Sequence, residues 1–128
     1  MTYKEQTNLR AALEAKRMEL ASDMRSRIGE LTIDGEQSDP IDWVQHMTDR
    51  DAAAGMLSRY TATLAQVERS LQAMNDETYG YCSRCEGQIA IRRLQSIPWA
   101  PYCVRCQEAV ESAQADGLEV EFDRMEAA

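Results

Sequence analysis

Residue types able to do chemistry gather in two places. The stretch YGYCSRCEGQIAIRRLQSIPWAPYCVRCQ carries Cys82-x2-Cys85 and, seventeen residues later, Cys103-x2-Cys106. Two Cys-x2-Cys pairs at this separation can close a tetrahedron of thiolates around zinc, each short loop offering two sulfurs to one side of the ion. A redox dithiol needs only one pair and a βαβ setting, which is missing here. With all four positions supplied by protein, none is left for water or substrate. The spacing therefore predicts one Zn2+ with a structural task.

The second place is SDPIDWV, residues 38–44, with two acids astride a proline and an isoleucine. Asp39 at the N-cap, Pro40 at the first helical position and Asp42 at the third make a good helix start: the cap accepts a backbone N–H, proline presets φ, and both acids complement the helix dipole. Paired carboxylates can also hold magnesium. This pair is mostly committed to the helix start and no nucleophile–base pair accompanies it, so the chain is not expected to be an enzyme. Trp43 beside Asp42 is an exposed-contact candidate that could equally pack back on Ile33.

These groups need a frame. From Thr2 to about Ile33, Leu9, Leu13, Leu20, Met24, Ile28 and Leu31 recur at helical spacing, interrupted by Lys16, which predicts one long amphipathic helix. Asp34-Gly35-Glu36-Gln37-Ser38 reads as a turn. Leu57, Tyr60, Leu64, Val67, Leu71 and Met74 then alternate steps of three and four, the seam of a coiled coil. The short connection makes the two helices antiparallel neighbours, with a second arm from Pro40 to about Met74 and a bend expected at Gly55 if anywhere.

The predicted architecture is mainly α: residues 1–77 form an antiparallel coiled-coil hairpin with its tip at 34–44, residues 78–116 a four-cysteine zinc finger with a short C-terminal helix, and residues 117–128 an acidic tail. Gly80 and Gly87 fit the tight turns of the finger. Pro98 and Pro101 keep its return segment extended, and QEAVESAQAD reads as the closing helix. His46 is expected to be a solvated helix residue. Arg92 and Arg93 are expected to pair with acids at the base of the hairpin.

Length and charge narrow the function. The chain has 128 residues, the size of one domain, and a formal net charge of -8, which opposes binding to a phosphate backbone. No signal-peptide core is present, and no run approaches the roughly 18 apolar residues of a membrane span. A cytoplasmic protein is expected, with no membrane partner, and in that reducing compartment four cysteines favour metal over disulfides.

With DPID (Asp39 to Asp42), Arg59, Tyr79-Gly80-Tyr81, Ile91-Arg92-Arg93-Leu94, Pro98 and the four cysteines in place, the chain resembles the DksA/TraR family of bacterial transcription regulators. The resemblance runs from about Asp39 to Gln107 and more loosely over the first helix. It implies a protein that binds RNA polymerase directly and does not bind DNA. The coiled coil would enter the secondary channel and bring Asp39 and Asp42, with Trp43 and Val44 beside them, near the active site. The base would dock on the channel rim. Arg59 matches a basic residue on the arm that supports polymerase contact. Val44 stands where the family pattern has alanine, so added bulk at the tip is expected to affect activity. The positions of the basic residues that help hold the alarmone ppGpp correspond to Gln66, Ile97 and Gln107, none of them charged, which implies a weak or absent response. A monomer is expected. The competing reading is a stand-alone zinc-ribbon module that binds protein or nucleic acid, with the coiled coil used to dimerise.

Overall fold

A computed structural model of the chain describes residues 1–31 and 40–116. Four helices follow one another: α1 (Tyr3–Leu31), α2 (Pro40–Asn75), α3 (Ile91–Ser96) and α4 (Val104–Ala115). The start of α1 is fixed by a reciprocal pair of bonds. The Glu5 N–H donates to Thr2 Oγ1 at 3.1 Å and the Thr2 N–H donates to Glu5 Oε1 at 2.8 Å, so two backbone donors that the helix itself leaves unpaired are satisfied. At 36 residues, α2 extends about 54 Å. It passes through Gly55 without a break. A Cβ at that position would meet only Arg59 Nη1, at 3.9 Å, so the glycine answers no steric need and marks no interruption.

The apolar seam of α2 closes on α1 within the same chain. Leu13 and Leu20 are buried with Val67 and Leu71, flanked by Tyr60 and Leu64, and Arg10 Nη2 donates to Asn75 Oδ1 at 3.3 Å. Arg10, near the start of α1, thus meets the last residue of α2, as in an antiparallel hairpin. Toward the tip the seam thins: Ala53 is buried, whereas Ile28 is 47% exposed. Lys16, which breaks the α1 stripe, has a place of its own. Its Nζ lies 5.2 Å from the centroid of the Trp99 ring and 3.5 Å from Glu19 Oε2, a cation over an aromatic face.

A second cluster forms the base, joining Leu9 of α1 to Cys82, Ile89, Leu94, Tyr102, Cys106 and Val110. Met74 and Tyr79 pack against both clusters. Between them α2 ends in a left-handed residue, Glu77 (φ 61), with the Thr78 N–H returning to the Ala73 carbonyl at 2.8 Å. That bond caps carbonyls the helix end would otherwise leave unpaired. Two elements differ from the sequence reading. Residues 91–96 coil into α3, a helix the sequence reading did not name, and α4 begins at Val104, three residues before the expected start. Residues 34–39 of the predicted tip, including Asp39, and the predicted tail at 117–128 lie outside the described residues.

Tyr79 links the finger to the hairpin. Its hydroxyl donates to the Pro98 carbonyl at 2.8 Å, and burial pushes its phenol up to about 12. An unfolded tyrosine ionises near 10, so the folded form holds its proton more tightly and the stability this group contributes is whole below pH of about 10 and falls as the pH rises toward 12. Tyr79→Phe is expected to cost about 1 kcal/mol at neutral pH and to remove part of the alkaline decline. Denaturant melts of both proteins at pH 7 and pH 11 measure both effects.

Candidate metal centre and rod tip

Cys82, Cys85, Cys103 and Cys106 come from two knuckles. In the first, the Glu86 N–H donates to the Cys82 carbonyl at 2.9 Å and the Cys82 N–H donates to the Gly87 carbonyl at 2.8 Å. An antiparallel bridge between Tyr81 and Gln88 closes the loop. The left-handed position within it is taken by Glu86 (φ 64) and not by the expected Gly87, while Gly80 (φ 99) does take one just before the loop. Gly87 matters through proximity, because a Cβ there would lie 3.4 Å from Cys85 Sγ. The second knuckle is the start of α4: Cys103 is its N-cap, and the Gln107 N–H donates to the Cys103 carbonyl at 2.8 Å. Cys103 and Cys106 thus sit at a helix N-terminus, where the dipole favours negative sulfur. A bond from the Ser83 N–H to the Pro101 carbonyl, 2.8 Å, draws the knuckles together.

The four sulfurs lie within 4.8 Å of one another, and Cys85 Sγ and Cys103 Sγ are 3.9 Å apart. Metal–sulfur bonds of about 2.3 Å in a tetrahedron set sulfurs about 3.8 Å apart, so the spacing fits one zinc-sized ion. The thiols also divide as four close acids must. Burial acts to raise the Cys82 thiol, but N–H groups of Cys85, Cys103 and Arg84 donate to it and bring it down to about 7. The Cys106 thiol accepts from Arg84, yet burial and the neighbouring cysteines push it up to about 11. Four thiolates this close ionise together only around a cation. Cys82 and Cys106 are buried, Cys103 is half-buried and Cys85 is exposed.

Arg84 is a site residue that sequence reasoning missed. Its N–H faces Cys82 Sγ at 3.4 Å and its Nη1 donates to Cys106 Sγ at 3.5 Å. The arginine inside Cys82-Ser83-Arg84-Cys85 was the available signal. Arg93 also differs from expectation. Its Nε donates to the Tyr102 carbonyl at 2.8 Å, so it braces the finger instead of pairing with an acid of the hairpin; Arg92 is exposed.

At the other end of α2, Pro40 is the first helical residue and Asp42 lies in the first turn. Ile41, Asp42, Trp43 and Val44 are all exposed. Trp43 is 53% exposed, and its ring lies 6.3 Å from that of the half-buried residue His46, tilted against it. Arg59 is exposed on the arm. The structure therefore brings the four cysteines together and leaves Asp42, Trp43 and Val44 as a separate group at the far end of the rod. Gln66 borders a cleft of about 100 Å³ between α2 and the finger, and Arg69 is the one charged residue among those lining it.

Residues 77–112 match the prokaryotic dksA/traR C4-type zinc finger. An uncharacterised protein of Aquifex aeolicus (strain VF5) is 36% identical over 92 residues, 70% of this chain and 60% of its own length. The RNA polymerase-binding transcription factor DksA of Escherichia coli (strain K12) is 27% identical over 105 residues, 81% of this chain and 70% of its own length. The structure of transcription factor DksA2 from Pseudomonas aeruginosa superposes with a TM-score of 0.74 at 26% identity, over 90% of this chain and 89% of that one.

Removing the metal should unfold the base while leaving part of the hairpin. Structural zinc in small modules contributes on the order of 10 kcal/mol to folding. Chelation, or Cys103→Ser, is expected to abolish the cooperative melt of the finger and to broaden the amide spectrum of residues 78–116. Metal analysis with calorimetry checks it: protein free of zinc that melts as before would refute the assignment.

Proposed function

The chain belongs to the DksA/TraR family with a four-cysteine zinc finger, and from that premise we propose that it is a transcription regulator that binds RNA polymerase directly and inserts its coiled-coil tip into the secondary channel to modulate initiation. The observation that carries this reading is the separation of roles along one rod: a base held by four clustered cysteines, and about 54 Å away an exposed Asp42–Trp43–Val44 group on a helix start. A carboxylate in the first turn of a long helix is held rigidly while facing outward, as a probe of a narrow channel requires.

The remaining parts fit this role. A single structural zinc holds the base, which docks on the channel rim, and Arg59 adds a contact on the arm. Asp39, which lies outside the described residues, is the second tip acid in this reading. The protein acts in the cytoplasm as a regulator and not as an enzyme, and it makes no direct contact with DNA, in keeping with its net charge of -8. A monomer belongs to this reading, which is supported by the packing of α1 of the same chain on the α2 seam. The named relatives, an RNA polymerase-binding transcription factor and a transcription factor, support the same reading.

Asp42→Asn tests the tip. The substitution should cost at most about 1 kcal/mol through the helix dipole, leave competition binding to polymerase within error of the parent, and abolish most of the effect on transcription from a single promoter. Val44→Ala should raise activity by relieving bulk. If binding and activity fall together, or activity survives Asp42→Asn, the tip is only a helix start.

The alarmone response follows from charge. Contacts to a polyanion such as ppGpp depend on charge-assisted hydrogen bonds, about twice as strong as neutral ones. Gln66, Ile97 and Gln107 supply none, and the cleft beside Gln66 offers Arg69 alone. Inhibition of transcription with and without ppGpp, on polymerase lacking its other alarmone site, should be nearly equal. A clear increase would contradict this.

A further inference from the structure

The side chain of Arg84 joins the two cysteine knuckles. Its backbone N–H faces the sulfur of Cys82 in its own knuckle at 3.4 Å, while its guanidinium reaches across to Cys106 of the other, 22 residues away in sequence, at 3.5 Å. Arg84 is half-buried, in a position where a positive charge needs a negative partner. Four thiolates around a divalent ion leave two negative charges uncompensated, and those two sulfurs are the buried pair of the set. The second knuckle, Cys103-Val104-Arg105-Cys106, places an arginine at the same offset, but Arg105 is exposed. The two knuckles therefore share a pattern and differ in its use.

We propose that Arg84 is a positioning residue of the metal centre: its guanidinium neutralises part of the charge on the buried thiolates and orients Cys106, and so sets how tightly the finger keeps its zinc. Charge-assisted hydrogen bonds to a ligand atom are the stronger kind, and loss of an outer partner of a metal ligand typically weakens metal binding about 10- to 100-fold. The inference rests on zinc occupying the four-cysteine cluster.

The test uses the full chain, with Zn2+ affinity measured by competition against a chromophoric chelator at pH 7.5 for the parent, Arg84→Gln, Arg84→Lys and Arg105→Gln. Arg84→Gln should weaken zinc binding by about tenfold or more. Arg84→Lys, which restores the charge without the planar fork, should recover most of that loss, and Arg105→Gln should match the parent. Parent protein that binds no zinc would refute the metal assignment itself. With the parent binding zinc, an unchanged Arg84→Gln, an Arg84→Lys as weak as Arg84→Gln, or an equal loss in Arg105→Gln would each overturn the role given to Arg84. A finger that fails to fold in the Gln variant registers as lost affinity, and rescue by lysine then separates charge from shape.

Discussion

Four thiol groups held within 4.8 Å of one another repel as they ionise, and only a cation among them turns that repulsion into the strongest restraint in the molecule. Everything at the base depends on it. Residues 78–103 contain no regular element longer than the six residues of α3, too little to hold a shape by burial alone. Once the knuckles close, Cys82 and Cys106 become part of the same cluster as Leu9 of α1, so the sulfurs that bind metal also fasten the finger to the hairpin. Tyr79 and Trp99 extend that attachment into the coiled-coil seam, and the rod projects from a fixed base.

Much of this was legible in the residues themselves. The Cys-x2-Cys spacing implied the cluster, the alternating steps from Leu57 to Met74 implied the packed face of α2, and Pro40 implied its start, since each is a local pattern with one economical solution. What was not legible depends on distant contacts or on the local geometry of the knuckles. Lys16 reads as a flaw in a stripe until the Trp99 ring is found beneath it. Glu86, and not Gly87, takes the left-handed position of the first knuckle. Arg93 finds a backbone carbonyl instead of an acid. Helix α4 starts early because Cys103 serves both as ligand candidate and as N-cap. For Lys16 and Arg93 a partner elsewhere in the chain outweighed the local pattern.

The uneven distribution of charge bears on function. Along residues 34–51 the sequence carries Asp34, Glu36, Asp39, Asp42, Asp49 and Asp51 against a single Arg50, whereas over residues 78–116 Arg84, Arg92, Arg93 and Arg105 are balanced by Glu86, Glu108, Glu111 and Asp116. An acidic end on a slender rod and a neutral base would orient the molecule before contact, since such fields act over about a Debye length of 10 Å at moderate salt. The exposed Ile41, Trp43 and Val44 add apolar surface at the acidic end, an arrangement suited to a close-fitting protein cavity and ill suited to a phosphate backbone.

The central claim, that the rod tip reaches the interior of RNA polymerase, is tested most directly by site-specific photo-crosslinking from position 43 in the complex with core polymerase, which leaves both tip acids in place. The account predicts crosslinks to catalytic-subunit residues at the inner end of the secondary channel, lost when a competitor fills that channel. Crosslinks confined to the outer surface of the enzyme, or to a second copy of this chain, would contradict it.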